Sequence, residues 1–286
     1  MKVNRLNRNS AGFPDSLKVI DRPPKQIYFS GLDPQDWLNK PRLAVVGSRK
    51  ATAYGLTVTD SLVRKLAGSG IVIISGLAYG IDAAAHKAAL AAGGQTVAVL
   101  PTSLDHIYPS SHINLARQIA KNGSLVSEYG PSDAIYKVNF TDRNRILTGL
   151  ADAVLITEAA ARSGTLTTAR FALEQGKTVM VIPGNITSPS SEGCNNLIKS
   201  GALPVTDAAD VFFALGLEPT KTKVSRTFRG TKEEETILSL IQGGVSDQEE
   251  IALKCEFDGS TVATVLISLE LAGHIRPAGG GQWTTA

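Results

Sequence analysis

The sequence predicts the α/β class: a doubly wound, mostly parallel sheet with a small helical domain behind it. Three observations carry that expectation. From residue 42 onward, short runs rich in Val and Ile alternate with longer amphipathic segments, the pattern of buried parallel strands joined by covering helices. The 286 residues exceed one typical domain, and a polar stretch near residue 220 divides them. Beyond it come three short helical periods and a hairpin pattern centred on glycines.

Taken in order, residues 1–40 are polar, contain proline and show weak periodicity. They read as an irregular N-terminal lead-in, with a short extended element at 26–29 and a turn of helix near 34–38. Buried strands are expected at 43–46, 71–74, 96–100, 125–126, 153–156 and 178–182. Helices are expected at 53–67, 80–92, 113–121, 143–150 and 166–175. Residues 41–216 therefore read as one Rossmann-like domain, whose ligands would bind outside the carboxyl ends of the strands where strand order reverses. Residues 217–230 read as a basic linker, with Lys221, Lys223, Arg226 and Arg229 leading to Lys232 and no acid between them. In residues 231–286, helices at 233–241, 247–253 and 260–271 precede a hairpin at 274–285, the outline of a winged-helix-like domain.

Composition narrows the function. Apolar residues make up 43% and charged residues 19%, so the chain can build a core. No apolar run approaches the ~18 residues of a membrane span. The first twenty residues hold no apolar core of a secretory signal. Two cysteines far apart, Cys194 and Cys255, exclude a disulfide scaffold and a cysteine zinc site and suit a reducing, cytoplasmic setting. The net charge of +3 is unevenly spread. Residues 41–216 carry fifteen Lys/Arg against twelve Asp/Glu, and residues 217–286 carry seven against ten. A nucleic-acid partner fits the central body and the linker better than the acidic tail.

Several familiar signatures fail. Gly176-Lys177-Thr178 resembles the end of a P-loop, but Phe171 stands where its first glycine belongs. The loop after the first parallel strand reads Gly47-Ser48-Arg49-Lys50, without a dinucleotide fingerprint. The four histidines lack metal spacing, and no cofactor is expected. Ser75, Asp82 and His86 invite comparison with a catalytic triad. A structural role is expected instead, with Asp82 in the first turn of a helix and His86 pairing with it.

Three stretches carry binding chemistry. In Gly47-Ser48-Arg49, glycine admits a close ligand, the next helix offers free N–H groups to an anion, and arginine supplies a planar fork for phosphate. Ser163, Gly164 and Thr165 open a later helix and promise a second anion nest of the same design. Lys137-Val138-Asn139-Phe140-Thr141-Asp142-Arg143-Asn144-Arg145 places three cations and an aromatic ring within nine residues, the chemistry of single-strand binding. Arg143 and Arg145 are two apart and cannot share a helix face. One is expected to turn inward and the other toward Asp142 or solvent. A fourth stretch, from Ile182-Pro183-Gly184-Asn185 to Gly201-Ala202, reads equally as a cleft lining or a packed connector.

These segments also occur in a recognisable order: Gly47-Ser48-Arg49, Ser75 to Asp82 with His86, Leu104-Asp105 with Tyr108-Pro109, Ser127-Glu128, Phe140 with Arg143-Asn144-Arg145-Ile146, Ser163-Gly164-Thr165-Leu166 with Thr168-Ala169, and Pro183-Gly184 through Gly201-Ala202. Over about residues 26–215 the chain resembles the DprA (Smf) family of DNA-processing proteins. The resemblance implies a non-catalytic, dimeric protein that binds single-stranded DNA and loads the RecA recombinase onto it during natural transformation. It implies DNA contacts at Gly47, Ser48, Arg49, Lys137 and Phe140. The family's larger helical N-terminal domain would not fit in forty residues, and Thr102 and Ser103 replace the glycines usual before Leu104-Asp105.

The competing reading is an enzyme. Paired anion loops would also suit a nucleotide phosphate, and the sheet resembles that of nucleoside-monophosphate phosphoribohydrolases. Those proteins place a catalytic glutamate where this chain has Thr168, and a threonine cannot stabilise a developing oxocarbenium charge. The acidic tail, with Glu233, Glu234, Glu235, Glu249 and Glu250, is expected to contact protein and not to read DNA.

Overall fold

The computed structural model describes residues 2–218 and 230–285. The expected basic linker lies almost wholly outside these residues. The chain divides into two compact units, Met1–Lys221 and Thr222–Ala286.

The first unit is built on a nine-stranded sheet. In chain order its elements are β1 (Asn4–Asn7), α1 (Asp15–Lys18), β2 (Gln26–Gly31), α2 (Gln35–Leu38), β3 (Arg42–Val46), α3 (Ala53–Gly68), β4 (Val72–Ser75), α4 (Ile81–Ala91), β5 (Thr96–Leu100), α5 (Ile113–Asn122), β6 (Ser124–Ser127), α6 (Asn139–Leu150), β7 (Ala153–Ile156), α7 (Thr165–Glu174), β8 (Thr178–Val181), α8 (Glu192–Lys199), β9 (Leu203–Pro204) and α9 (Ala208–Ala214). The order across the sheet is β1-β2-β6-β5-β4-β3-β7-β8-β9. Strands β3 to β9 run parallel, while β2 pairs antiparallel with β6 and with β1.

The parallel strands are buried on both faces because side chains alternate between two cores. Ala44 and Val46 of β3 pack with α1, α6 and α7 through Leu17, Ile146, Leu150 and Ala169. Leu43 and Val45 turn to the other face and meet α3, α4 and α9 through Leu66, Ala85 and Phe212. The six expected parallel strands all form, with ends shifted by a residue or two.

The lead-in departs from expectation. The element expected at 26–29 and the turn of helix near 34–38 form as β2 and α2, but β1 and a wedge of core stand where an irregular arm was expected. Register runs from Asn4 opposite Phe29 to Asn7 opposite Gln26, and from Tyr28 opposite Ser127 to Gly31 opposite Ser124. Phe13, Leu17 and Ile20 are buried in the same core, and the glycine at 149 in α6 leaves room for Leu17 and Ile20. Trp37 is wholly buried, and its indole N–H donates to Ser124 Oγ at 3.1 Å. Buried side chains and strand pairing supply the order that local periodicity does not announce.

The second unit is the winged helix. Helices α10 (Lys232–Gln242), α11 (Gln248–Cys255) and α12 (Gly259–Leu271) enclose Ile237, Ile251, Val262 and Leu266, and β10 (Ile275–Gly279) pairs antiparallel with β11 (Gln282–Thr285). Each helix start is capped by side chain: Thr231 with Glu234 in a reciprocal box, Asp247, and Asp258.

Candidate nucleic-acid interface

Chain direction across the sheet reverses between β3 and β7. From β3 the chain steps outward through β4, β5 and β6, and from β7 it steps the other way through β8 and β9. The carboxyl ends of β3 and β7 therefore open a crevice at the switch point. A cleft of about 510 Å³ lies there. Nine of the eleven residues expected from sequence line it: Gly47, Ser48, Arg49, Phe140, Arg143, Asn144, Ser163, Gly164 and Thr165. Lys50 and Arg162, which the sequence reading passed over, line it as well and are exposed.

The loop after β3 does not present the open helix N-terminus that its sequence suggested. The buried carboxylate of Glu158 occupies that place, accepting from Thr52 N at 3.0 Å and Thr52 Oγ1 at 3.0 Å. Thr52 Oγ1 in turn accepts from Gly55 N. A Cβ on Gly55 would fall 2.0 Å from Glu158 Oε2, so glycine is needed for this approach. Glu158 also holds the other end of the loop, its carbonyl accepting from Ser48 N at 2.8 Å. The anion nest on α3 is thus filled by the protein's own carboxylate, and the cleft's cations here are Arg49 and Lys50. Sequence could not reveal this, because the plug lies more than a hundred residues from the loop it closes.

Close packing fixes the loop from below. Ser48 O accepts from Ile81 N at 3.2 Å, capping α4. Gly80 has φ +72, and a Cβ there would lie 2.2 Å from Ser48 O, so two constraints demand glycine. The second loop opens α7 as expected, but its own atoms take the first-turn amides, Ser163 O accepting from Leu166 N at 3.1 Å and Gly164 O from Thr167 N at 3.2 Å. Ser163 Oγ accepts from Thr165 N at 3.2 Å at the start of α7, and no carboxylate caps that helix among the described residues.

Arg143 and Arg145 are both buried and serve different places. Arg143 enters the cleft wall, donating to Gly76 O at 2.6 Å and to Val99 O. Asp82 accepts from Gly76 N at 3.1 Å and Ala78 N at 3.3 Å. Burial pushes the Asp82 carboxyl up, opposed by Arg143, and pulls the Arg143 guanidinium down to about 10, opposed by Asp82. Arg145 lies outside the cleft, paired with Glu128 at 2.5 Å, and Asp142 pairs with Arg22 and with neither neighbour. Lys137 is exposed and also lies outside the cleft lining.

The triad-like residues do not meet. Ser75 Oγ donates to Val45 O at 2.6 Å, and His86 Nδ1 lies 2.7 Å from Thr96 Oγ1. The expected Asp82–His86 pair is absent, because strand β5 brings Thr96 to the ring and backbone amides claim the carboxylate. The fourth stretch is a packed connector. Gly193 N donates to Ala159 O, and Asn195 bonds Gly184 in both directions at 3.1 and 3.2 Å. No group of three or more metal-binding side chains occurs among the described residues.

This is a Rossmann-like sheet with a basic cleft at its switch point and a winged helix on the same chain. Residues 4–216 match the family model of DNA recombination-mediator protein A, and residues 218–281 match that of the DprA winged helix domain. The chain belongs to the DprA/Smf family of recombination mediators. It is 42% identical to DNA processing protein DprA of Streptococcus pneumoniae over 197 residues, covering 69% of this chain and 68% of that protein. It is 40% identical to Protein Smf of Escherichia coli over 282 residues, covering 96% and 75%. Among solved structures, the S. pneumoniae protein superposes with a TM-score of 0.70 at 40% identity, covering 74% of each chain. The Helicobacter pylori protein, solved for its single-stranded DNA binding mode, gives 0.67 at 32% identity, covering 75% of this chain and 95% of that one. No helix among the described residues is long and apolar enough to cross a membrane.

Proposed function

We propose that the chain is a non-catalytic, cytoplasmic binder of single-stranded DNA that acts as a homodimer and delivers the strand to the RecA recombinase. The observation that carries the DNA reading is the grouping of Arg49, Lys50 and Arg162 around one open cleft with Arg143 and Phe140. Exposed cations suit phosphates, and an aromatic ring beside them suits a base. Membership of the family supports the recombinase step, and the H. pylori relative supports the ligand. Against hydrolysis of a nucleotide, Thr168 lines the cleft where a phosphoribohydrolase would carry its glutamate, and the amides of Gly76 and Ala78 hold Asp82.

Fluorescence anisotropy of a labelled oligothymidylate tests the binding. Wild type should bind, lose affinity steeply as salt rises, and weaken in the Arg49→Ala/Arg162→Ala variant. An isotherm indifferent to both would refute the cleft. The recombinase step is read by RecA filament assembly on strands with and without the protein. Sustained base release from nucleoside monophosphates would overturn the non-catalytic assignment.

A further inference from the structure

A separate cavity of about 360 Å³ is lined by Arg22, Pro23, Lys25, Gln26, Glu128 and Arg145, none of which lines the cleft. The Arg22-Pro23-Pro24-Lys25 turn leads into β2 and supplies two of its cations, and the two prolines stiffen the backbone between them. Arg145 comes from α6, and Glu128 from the loop after β6. The Arg145 side chain is only 7% exposed, and Glu128 Oε2 engages a single nitrogen of it, Nη2, at 2.5 Å. Nε and Nη1 are buried and have no acceptor among the described residues. A guanidinium carries donors on all three of its nitrogens, and buried donors left without an acceptor are costly. The one carboxylate contact therefore leaves this place short of acceptor oxygens. Arg22 is shared with Asp142, whose carboxylate accepts from it at 3.1 and 3.2 Å, whereas Lys25 stands exposed at the rim.

We propose that this cavity is a receptor for a free oxyanion of the phosphate class, filled independently of the strand. Its lining holds three cations against one carboxylate, an excess that a phosphate dianion matches. The anion accepts from the Arg145 nitrogens that Glu128 leaves over, after a small turn of the guanidinium, and from Lys25 and Arg22 at the turn. Asp142 draws on Arg22, so Arg145 and Lys25 carry most of the hold. Donors arriving from two separate elements suit a tetrahedral anion, whose oxygens point in several directions. A carboxylate presents its two oxygens along one edge and would leave part of the lining unanswered. No lining residue is common to this cavity and the cleft, so occupancy of one does not block the other.

Isothermal titration calorimetry of the full chain with inorganic phosphate, at an ionic strength held constant with chloride, is the test. Wild type should bind phosphate at one site, and saturating oligothymidylate should leave that isotherm unmoved. The cleft variant Arg49→Ala/Arg162→Ala should bind phosphate as wild type does. Lys25→Ala changes an exposed side chain and should weaken phosphate about two- to fivefold, the scale of one exposed ion pair. Glu128→Leu/Arg145→Met removes the pair together, leaving no charge buried alone, and should weaken phosphate by about tenfold or more, the scale of one lost charged hydrogen bond. Thermal melts confirm that both variants fold. Absence of phosphate binding by wild type, or unchanged affinity in Lys25→Ala or in the pair variant, overturns the site. Displacement of phosphate by oligothymidylate, or its loss in the cleft variant, assigns the phosphate to the strand's own path and equally overturns the proposal.

Discussion

Glu158 does two jobs through one side chain and its own carbonyl, tethering the 47–52 loop at both ends. Removing the carboxylate leaves the N–H of Thr52 without its acceptor and α3 without its plug. Glu158→Ala should therefore cost about 1–2 kcal/mol of stability, the scale of a lost cap, and lower strand affinity by displacing Arg49. Denaturant melts and oligothymidylate titrations read the two effects separately. His86 sets a pH dependence. Thr96 Oγ1 donates to Ile73 O, so His86 Nδ1 carries the proton, and buried Nε2 finds no acceptor role filled. Burial lowers the ring from 6.5 to about 3. Below pH 6.5 the unfolded chain takes up a proton that the folded chain refuses until about 3, so this contribution to stability is full above 6.5 and falls through that window. The slope is up to about 1.4 kcal/mol per pH unit. A His86→Gln variant should show a shallower acid slope in urea melts taken across that range.

At the scale of elements, α6 is a divider. It sends Arg143 into the cleft and Arg145 to Glu128, and the lead-in closes over its far face. Leu17 is wholly buried there, so Leu17→Ala should cost about 2–5 kcal/mol, measurable by chemical denaturation. Arg145→Met should lower stability by leaving Glu128 unpaired, and should leave oligothymidylate affinity near wild type. The parallel strands were legible because Val- and Ile-rich runs buried on both faces carry their own signal. The β3 and β7 loops were legible because Gly-Ser-Arg and Ser-Gly-Thr follow strands. Strands β1 and β2 were not fully legible, being short, half polar and dependent on β6 for pairing. The direction of Arg143 and Arg145 depends on Val99 of β5 and on Glu128 in the loop after β6, and no spacing rule within α6 could assign it.

For the whole molecule, charge is segregated along the chain. Residues 231–286 hold three Lys/Arg against nine Asp/Glu, whereas the sheet-bearing unit is basic. A duplex or single strand meets repulsion from the tail and attraction from the cleft. A variant lacking residues 231–286 and retaining the basic stretch before them should keep most of its oligothymidylate affinity. Loss of most of it would make the winged helix a DNA reader.

The plug in the α3 nest has a kinetic consequence. A nest of backbone amides is rigid and dry, and an anion seated in it leaves slowly. By filling that nest with its own carboxylate, the protein would leave the proposed hold on phosphates to guanidinium and ammonium groups on long stems, each of which can let go singly. A strand held this way can be peeled off phosphate by phosphate by an advancing competitor, without waiting for the whole complex to dissociate. That is the behaviour the proposed hand-over to a recombinase would require.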